Sequence, residues 1–279
     1  MRYINFNGNI YPGHEALLPV TNRAYRYGDG FFESMVMFNQ KMPLLEYHWN
    51  RLTFTAAMIS AILPENFNKA SLQNMILALA GANEEVRNAR IRLQFYRKGD
   101  GLYLPDSDEL GFSISMEAID KNRFEPGHGL KAGMRNDCFK GPSMVSEIKN
   151  SGALMYVLAA KYARAEGLDE CILTNHLGQV CEGISSNIFI VEEDKLITPG
   201  LGSGCVNGVM RNYLIGLMGD KVIERNIEVK ELDETEEIIM TNAVKGIQWV
   251  KELNGKAYSN KKAIQLTELL NSKLMGLAQ

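Results

Sequence analysis

Cysteine is scarce in this chain, and its spacing argues against a metal site or a disulfide. The four cysteines are Cys138, Cys171, Cys181 and Cys205, and no two of them form a CxxC pair. Structural zinc sites and dithiol redox sites use closely spaced cysteines. We therefore expect all four thiols to be buried as small apolar groups, and we expect no bound metal.

Long apolar runs and blocks of basic residues are also missing. The longest apolar runs, such as residues 56–63, are too short to cross a bilayer. The first residues contain no apolar segment of the signal-peptide kind, so a cytoplasmic protein is expected. The net charge of −3 and the dispersed basic residues argue against nucleic-acid binding. Neither GxGxxG nor GxxxxGK[ST] occurs, which argues against a nucleotide site.

The chain does contain enough apolar sequence for a large core. Hydrophobic residues make up 46% of its 279 residues and charged residues 23%, which is typical of a globular protein with one large or two ordinary domains. Residues 120–129 are polar and contain Pro126, Gly127 and Gly129. We therefore predict a first domain at 1–119, a linker at 120–129 and a second domain at 130–279.

Local patterns predict both helices and strands in each domain. Asn7-Gly8 and Asn254-Gly255 are each expected to form the turn of a hairpin. Ser71 is predicted to cap the second helix of the first domain. The first domain is predicted to contain strands at 31–38, 42–45, 90–96 and 110–117 and helices at 46–63 and 71–80. The second is predicted to contain helices at 152–166, 207–218 and 261–277 and strands at 170–174, 187–191, 237–240 and 247–250.

Lys149 is the residue most informative about function. It precedes a predicted helix, and the carboxylate of Glu182, a helix opened by Gly208 and the polar turn Thr241-Asn242 follow in that order. An amine, a carboxylate and two phosphate-binding turns could hold pyridoxal 5′-phosphate (PLP), with Lys149 as its Schiff-base partner. Glu182 would then keep the pyridine nitrogen protonated, so that the ring can accept electrons.

Most lysines in a protein are solvated on its surface, so the residues around a lysine decide whether it is a candidate for the Schiff base. Lys140 and Lys161 are set aside because no comparable residues accompany them, and Lys161 is expected on the exposed face of a helix. Arg51 has a planar fork of donors suited to a phosphate. His48 lies three residues earlier, on the same helical face, and either packs beside the site or acts in it.

The helix opened by Gly208 is a second phosphate candidate. Amide groups at the start of a helix bind phosphate through their geometry and the helix dipole. The main-chain amides of Val209 and Met210 would be the donors, so their side chains need not be polar. Each of these signals alone also fits an ordinary turn or surface residue, and the ordered combination favours a cofactor site.

The combination resembles the class IV aminotransferases, the fold-type IV PLP enzymes. The likeness begins at the segment 27–33, passes through His48, Arg51 and Lys149, and continues to the segment 241–243. The resemblance implies an α+β fold of two mixed α/β domains, of the D-amino acid aminotransferase type, with the cofactor in the cleft between them. It also implies a homodimer, in which residues near the amino terminus help to close the cleft of the neighbouring subunit.

The resemblance implies a role for each matching residue. Lys149 would be the catalytic acid and base. Asn187 would support the loop that carries Glu182, and Met210 replaces a threonine that is common in the family. The cofactor-binding residues implied are Arg51, Lys149, Glu182, Asn187, Gly208, Val209, Met210, Thr241 and Asn242. The substrate-binding residues implied are Phe32, Arg92, Arg97 and Ala243.

The implied reaction is transfer of an amino group between an α-amino acid and a 2-oxo acid. Leu154 and Val36 replace a tyrosine and an arginine of the branched-chain enzymes, which favours the D-amino acid and lyase branches. The alternative function is 4-amino-4-deoxychorismate lyase, which releases pyruvate and 4-aminobenzoate, and Asn242-Ala243 resembles that branch. Loss of Lys149 or Glu182 would indicate a silent member of the family, and both residues are present.

Overall fold

The computed structural model describes residues 2–15 and 17–276, apart from the side chains of Asn136 and Cys138. The chain divides into two compact units, Met1–Asn122 with Ile148–Gly152, and Arg123–Glu147 with Ala153–Gln279. The short segment that carries Lys149 thus belongs by its contacts to the first unit. The predicted domain boundaries stay a prediction. The side chain of Cys138 lies outside what is described. So does Leu277, the predicted last residue of the final helix.

The first unit is built on an antiparallel sheet. Its strands are β1 (Tyr3–Phe6), β2 (Asn9–Pro12), β3 (Gly30–Met37), β4 (Ala89–Arg97) and β5 (Leu110–Ala118), in the order β2-β1-β5-β4-β3. Along β4, Ile91, Leu93 and Phe95 are buried, and Arg92 and Gln94 alternate with them on the opposite face. This period of two leaves one apolar face for the core and one polar face for other contacts.

Three helices complete this unit, α1 (Arg23–Tyr27), α2 (Leu45–Met58) and α3 (Lys69–Ala82). Leu52 of α2 and Leu72, Ile76 and Leu79 of α3 have no exposed surface and belong to the same apolar cluster as the inner face of β4. Their spacing of three or four residues places them along one side of each helix. The core of the unit therefore lies between these helices and the sheet.

Three local predictions for the first unit are wrong. The Asn39-Gln40 turn closes a single bridge between Phe38 and Lys41, and no strand follows at 42–45 because Pro43 lacks the N–H that the ladder needs. Helix α2 ends before residue 63 because Ser60 adopts a left-handed conformation (φ 51°), and the Ala61 N–H bonds to an upstream carbonyl.

The third correction concerns the start of α3. Its N-cap is Asn68, whose side chain accepts a hydrogen bond from the Ser71 N–H, while the Ser71 hydroxyl accepts one from the Asn68 N–H. Ser71 is therefore the third helical residue of a capping box and not the cap itself. Asparagine and serine both cap helices well, so the residue type alone does not decide between Asn68 and Ser71.

The second unit contains a larger mixed sheet. Its strands are β6 (Leu130–Phe139), β7 (Glu170–Thr174), β8 (Val180–Gly183), β9 (Asn187–Glu192), β10 (Lys195–Thr198), β11 (Val222–Glu224), β12 (Ile238–Asn242), β13 (Gly246–Leu253) and β14 (Lys256–Ala257). The order is β11-β10-β9-β12-β13-β6-β7-β8, with β14 paired to β13. The Asn254-Gly255 hairpin is confirmed by β13 and β14, and the Asn7-Gly8 hairpin by β1 and β2.

The described residues of this unit form four α-helices, α4 (Leu154–Ala165), α5 (Val209–Met218), α6 (Val229–Glu234) and α7 (Lys261–Met275). Ala159 and Ala163 of α4 pack on Cys171 and Leu173 of β7. The small side chains allow this helix to approach the sheet closely. The sequence predicted α4, α5 and α7, but not α6 or the strands β6, β8, β10 and β11.

The described residues contain neither a helix that could cross a membrane nor a cluster of metal ligands. Within 2–15 and 17–276, no helix has both the length and the apolar character needed to cross a membrane. Over the same residues, no three His, Cys, Asp or Glu side chains are grouped as metal ligands.

Candidate active site

The segment that carries Lys149 is held against the start of β3. The Phe32 N–H donates to the Lys149 carbonyl over 3.0 Å, and the Ser151 N–H donates to the Gly30 carbonyl over 3.0 Å. A side chain at residue 30 could not fit, because its Cβ would meet the Phe95 carbonyl oxygen at 2.3 Å. The Lys149 ammonium nitrogen lies 4.7 Å from the centre of the Phe32 ring. The main chain therefore fixes where the Lys149 side chain begins, and Phe32 offers its ring to the cation.

A buried triad lies in the same unit. Arg51 donates to both carboxylate oxygens of Glu33, over 2.8 and 2.5 Å, and the Nδ1 atom of His48 lies 2.6 Å from the same carboxylate. Burial alone raises the pKa of Glu33, but Arg51 and the hydrogen bond from His48 outweigh it and lower that pKa to about 2. The Arg51 fork is therefore held in one orientation by an ionised carboxylate.

His48 is the neutral member of this triad. Burial lowers its pKa, and the positive charges of Arg51 and Lys149 act in the same direction, while Glu33 opposes them. Its Nε2 atom is buried and has no hydrogen-bond partner among the described residues. The spacing of three residues predicted correctly that His48 and Arg51 share a face of α2, and Glu33, the residue that joins them, was not given a role.

The two candidate arginines for a substrate carboxylate have different surroundings. Arg97 is buried and donates to the carboxylates of Asp29 (3.2 Å) and Asp108 (2.6 Å) and to the Ile59 carbonyl (2.8 Å). Arg92 lies with its guanidinium 3.8 Å from the centre of the Phe32 ring, the ring that also faces Lys149.

The polar contact of Arg92 is a neutral one. It donates to the Gln94 side-chain oxygen over 2.8 Å, and no carboxylate among the described residues pairs with it. Burial lowers the pKa of Arg92, and the neighbouring Arg90 lowers it further. Arg92 therefore has its charge unmatched by a carboxylate, whereas the charge of Arg97 is already matched.

The second unit contains Glu182, and three donors converge on its carboxylate. One oxygen accepts from the Lys140 ammonium and, over 2.7 Å, from the Tyr156 hydroxyl. The other accepts from the Val206 N–H over 2.8 Å. Glu182 is 3% exposed, so this carboxylate is out of contact with bulk water. Donors on both oxygens prevent it from rotating freely.

The start of α5 is built around Gly208. This residue is the N-cap, and no side chain caps the helix. A Cβ at residue 208 would lie 1.7 Å from the Asn187 side-chain oxygen, so any larger residue would displace the Asn187 side chain. The Asn187 amide donates to the Val206 carbonyl over 2.8 Å, which ties the loop before α5 to strand β9. The amides of Val209 and Met210 are thereby held at the opening of a helix, where an anion is stabilised.

Thr241 lies beside this helix start, because it pairs with Asn187 across β12 and β9. Its hydroxyl is buried and has no hydrogen-bond partner among the described residues. The Asn242 side chain forms the next turn. It donates to the Ser185 carbonyl and accepts from the N–H groups of Val244 and Lys245, and Ala243 lies within this turn.

The residues of this unit fit a phosphate-bearing cofactor. A buried hydroxyl without a partner is costly by about 1–3 kcal/mol, and a phosphate oxygen would supply its missing partner. A helix start that lacks a side-chain cap, and a carboxylate fixed by three donors, are the other two features that such a cofactor needs.

Sequence reasoning missed two of the residues that surround Glu182. No comparable residues accompany Lys140 in the sequence. Its ammonium nevertheless bonds directly to the carboxylate of Glu182, which lies 42 residues further along the chain. Tyr156 was read only as part of a helix. No local pattern marks either residue, because strand pairing in the large sheet and the packing of α4 on β7 bring them to Glu182. Lys161 is exposed, as expected.

Comparison with known protein families gives one match over most of the chain. The family model for Amino-transferase class IV matches residues 30–253. A Thermotoga maritima protein named "Probable branched-chain-amino-acid aminotransferase" is 31% identical over 78% of this chain and 75% of its own. The D-alanine aminotransferase of Bacillus licheniformis is 24% identical over 96% of this chain and 94% of its own.

Solved structures share the same architecture. A branched-chain aminotransferase from Thermoproteus uzoniensis, solved with norvaline, superposes with a TM-score of 0.86 at 24% identity, covering 98% of this chain and 95% of that one. The PLP form of a branched-chain amino acid aminotransferase from Thermobaculum terrenum gives 0.83 at 21% identity, covering 99% and 94%. The similarity confirms the predicted fold class.

Proposed function

This chain belongs to the class IV aminotransferase family, and from that premise we propose that it transfers an amino group between an α-amino acid and a 2-oxo acid with Lys149 as the reactive lysine. The match over residues 30–253 is the observation that carries the proposal. It confirms the predicted family, the transaminase class and pyridoxal 5′-phosphate as the cofactor. The placement of the cofactor in a cleft and the cytoplasmic location stay predictions.

Each predicted residue would hold a particular part of the cofactor. Lys149 would bind its aldehyde carbon and Arg51 its phosphate. The amides of Val209 and Met210 and the hydroxyl of Thr241 would bind phosphate oxygens, and Glu182 would lie against the ring nitrogen. Asn187, Gly208 and Asn242 would act through the main chain, by shaping the loops that carry these donors.

The protein contributes proton transfer and fixed charges to the reaction. When bound, the cofactor supplies an aldehyde that takes up the amino group and a ring that withdraws electrons from the substrate Cα. Lys149 would take the proton from that Cα and return it to the other reacting carbon. Its neighbours are the Phe32 ring, 4.7 Å from the ammonium nitrogen, and the Arg92 guanidinium, which lies against the same ring.

Arg92, and not Arg97, would bind the substrate carboxylate. Arg92 shares the Phe32 ring with Lys149 and has no carboxylate partner among the described residues, whereas Arg97 is held by Asp29 and Asp108. Arg92→Ala should lower kcat/KM for the amino acid by roughly tenfold or more. Arg97→Ala should lower thermal stability and leave kcat/KM nearly unchanged. The reverse ranking would reassign the carboxylate site.

Transamination is favoured over the lyase reaction. The Asn242-Ala243 pair suggested the lyase from sequence, but the Asn242 side chain is occupied in forming the local turn. The relatives compared above are named as aminotransferases of branched-chain amino acids and of D-alanine. These two substrate classes have opposite hand, and the pocket must choose between them.

A half-reaction screen tests the reaction and its substrate. PLP-loaded protein is mixed separately with L-leucine, D-alanine and 4-amino-4-deoxychorismate. Bleaching of the visible cofactor band by one amino acid identifies the transaminase and the hand of its substrate. Pyruvate and an aromatic amine, formed from aminodeoxychorismate without bleaching, would identify the lyase and overturn the proposal.

Lys149→Ala tests the reactive lysine. The variant should lose the visible absorbance that the unaltered protein gains with PLP, and borohydride should attach no cofactor to the peptide that contains residue 149. Lys161→Ala is the matched control, since Lys161 lies exposed on α4. Reduction of the cofactor onto another lysine of the unaltered protein would disprove the assignment. Arg51→Ala should weaken PLP binding by about 2–4 kcal/mol, the scale of breaking a desolvated charged pair.

We also propose that the protein is a homodimer. In the first unit, Val20, Tyr25, Leu102, Tyr103 and Leu104 are each at least 76% exposed, which is unusual for side chains of this size. The loop that carries Tyr103 is fixed by Arg23, which donates to the carbonyls of Asp100 and Leu102. A rigid apolar surface of this kind fits a permanent partner. Light scattering should give twice the chain mass, and Leu104→Asp should shift it toward the monomer.

A further inference from the structure

Glu182 has a lysine partner that the proposed function does not use. The Lys140 ammonium bonds to one oxygen of the Glu182 carboxylate and lies 5.5 Å from the centre of the Tyr156 ring. Lys140 is 8% exposed, and such a residue is rarely buried without a charged partner. Its carboxylate partner is the residue that we place against the ring nitrogen of the cofactor.

The main chain of Lys140 is fixed as firmly as its side chain. Its N–H donates to the Thr174 carbonyl over 2.8 Å, and its carbonyl accepts from the Cys181 thiol over 3.5 Å. Gly204 packs against that carbonyl, since a Cβ there would lie 2.9 Å from the oxygen. The loop that supplies the Val206 N–H to Glu182 thus rests on the residue that supplies the ammonium.

Among the described residues, the groups other than Lys140 that donate hydrogen bonds to Glu182 are neutral. Burial raises the pKa of the Tyr156 phenol, and the negative charge of Glu182 raises it further, so Tyr156 stays a neutral donor. The thiols of Cys181 and Cys205 also face this cluster, and burial raises the pKa of each. Arg211, buried on α5, is a further cation on the side of Cys205. Lys140 is therefore the cation in direct contact with the carboxylate.

We propose that Lys140 is a positioning residue that limits how strongly Glu182 holds the proton on the cofactor ring nitrogen. This inference rests on the proposed place of Glu182. A carboxylate alone in a buried site would bind the ring N–H as a strong ion pair. The Lys140 ammonium, on the same carboxylate, repels the protonated ring and takes part of the hydrogen-bonding capacity of the oxygen that it shares with Tyr156. The ring nitrogen is then less basic than Glu182 alone would make it.

As a consequence, Lys140 and Glu182 together would set how strongly the cofactor ring withdraws electrons. A fully protonated ring withdraws electrons from the substrate Cα most strongly, and a less basic ring nitrogen moderates that effect. Lys140→Met removes the charge and keeps much of the volume. Lys140→Arg keeps the charge. Tyr156→Phe removes a neutral donor and leaves the charge balance unchanged.

The test measures the ring nitrogen directly, in holoenzyme loaded with ring-15N-labelled PLP and titrated by 15N NMR. We expect the proton affinity of the nitrogen to rise roughly tenfold or more in Lys140→Met, and to stay within about threefold of the unaltered protein in Lys140→Arg. Lys161→Met, an exposed lysine on α4, serves as the control and should give an unchanged titration.

Two outcomes would overturn the proposal. If Lys140→Met lowers the melting temperature but leaves the 15N titration unchanged, Lys140 is only a structural partner of Glu182. If Lys140→Met lowers the proton affinity, the sign of the proposed effect is wrong. Because the melting temperature of each apo variant is measured alongside, a variant that fails to fold is recognised, and Lys140→Gln then takes its place.

Failure of the proposed function gives a different result. Glu182→Gln should lower the proton affinity of the ring nitrogen if Glu182 lies against it. If Glu182→Gln leaves the titration unchanged, the place of Glu182 is wrong, whatever Lys140→Met shows. If Glu182→Gln has its effect and Lys140→Met has none, the function stands and only the role of Lys140 falls.

Discussion

Replacing Glu33 by glutamine is the sharpest test of the buried triad. Glu33 is 1% exposed and accepts two hydrogen bonds from Arg51, and His48 contacts the same carboxylate. Glutamine keeps the size and one oxygen but loses the negative charge. Arg51 would then be a buried cation without its carboxylate, and His48 would lose its acceptor.

The magnitude follows from two independent arguments. The pKa of Glu33 falls from an ordinary 4.5 to about 2, and that difference corresponds to about 3 kcal/mol of stability at pH 7. Removing one partner of a buried ion pair generally costs about 3–5 kcal/mol. For a chain of this size, about 3 kcal/mol corresponds to a melting temperature lower by roughly 6–12 °C.

The effect must also depend on pH with a definite sign. Because folding lowers the pKa of Glu33, its contribution is present above the unfolded pKa and is lost as the pH falls through the folded value of about 2. The difference in stability between the unaltered protein and Glu33→Gln should therefore be constant above about pH 5 and shrink steadily between about pH 4.5 and pH 2.

Calorimetry of the apo proteins at several pH values measures both quantities. Glu117→Gln is the matched control, because Glu117 pairs with Arg90 at 3.7 Å on the surface, and it should change stability by less than about 0.5 kcal/mol. A loss below about 1 kcal/mol for Glu33→Gln, or a difference that grows as the pH falls, would refute the reasoning.

Three further results are expected. Thr241→Val should leave the apo protein equally or slightly more stable, because the Thr241 hydroxyl is buried without a partner, yet weaken PLP binding roughly tenfold; equal PLP affinity would remove Thr241 from the phosphate site. Arg97→Ala should lower stability by about 2 kcal/mol and speed proteolysis of residues 99–107, because it frees Asp108 and the Ile59 carbonyl; an unchanged cleavage rate would show that the loop is held by other contacts. The buried thiols should resist iodoacetamide at pH 8 in native protein; these are Cys171, Cys181 and Cys205. Burial and the nearby charge of Glu182 raise the pKa of Cys181 to about 12, so peptide mapping that finds Cys181 alkylated without denaturant would contradict this.

Local chemistry explains the predictions that succeeded. Asn-Gly pairs adopt the left-handed angles of tight hairpins, so both hairpins were predictable (Asn7 φ 49°, Gly8 φ 93°). Gly208 at a helix start and the alternation along β4 are equally local, and both are observed. The family itself was recognisable because its residues occur in a fixed order along the chain, and order survives when identity to relatives is only 24–31%.

Only the tertiary structure decided which side chains share an environment. Arg92 and Arg97 lie on one strand and are similar candidates in sequence. In the structure, Arg97 donates hydrogen bonds to Asp108 and to the Ile59 carbonyl, whereas Arg92 faces the Phe32 ring. Glu33 looked like part of an apolar strand and turned out to hold Arg51. Lys140 has no comparable residues near it in sequence, yet it contacts Glu182, 42 residues further along the chain.

The physical reason for this division is the range of the forces involved. Turn angles and periodicity depend on residues within a few positions of one another, so the sequence alone predicted both hairpins, the helices α4, α5 and α7 and the order of the motifs. A charge in a low-dielectric interior depends on every group within several ångströms, whatever its place in the chain. Strand pairing within each sheet and the packing of helices on it, which no short segment specifies, therefore decided how the charges of Glu33, Arg97 and Glu182 are matched.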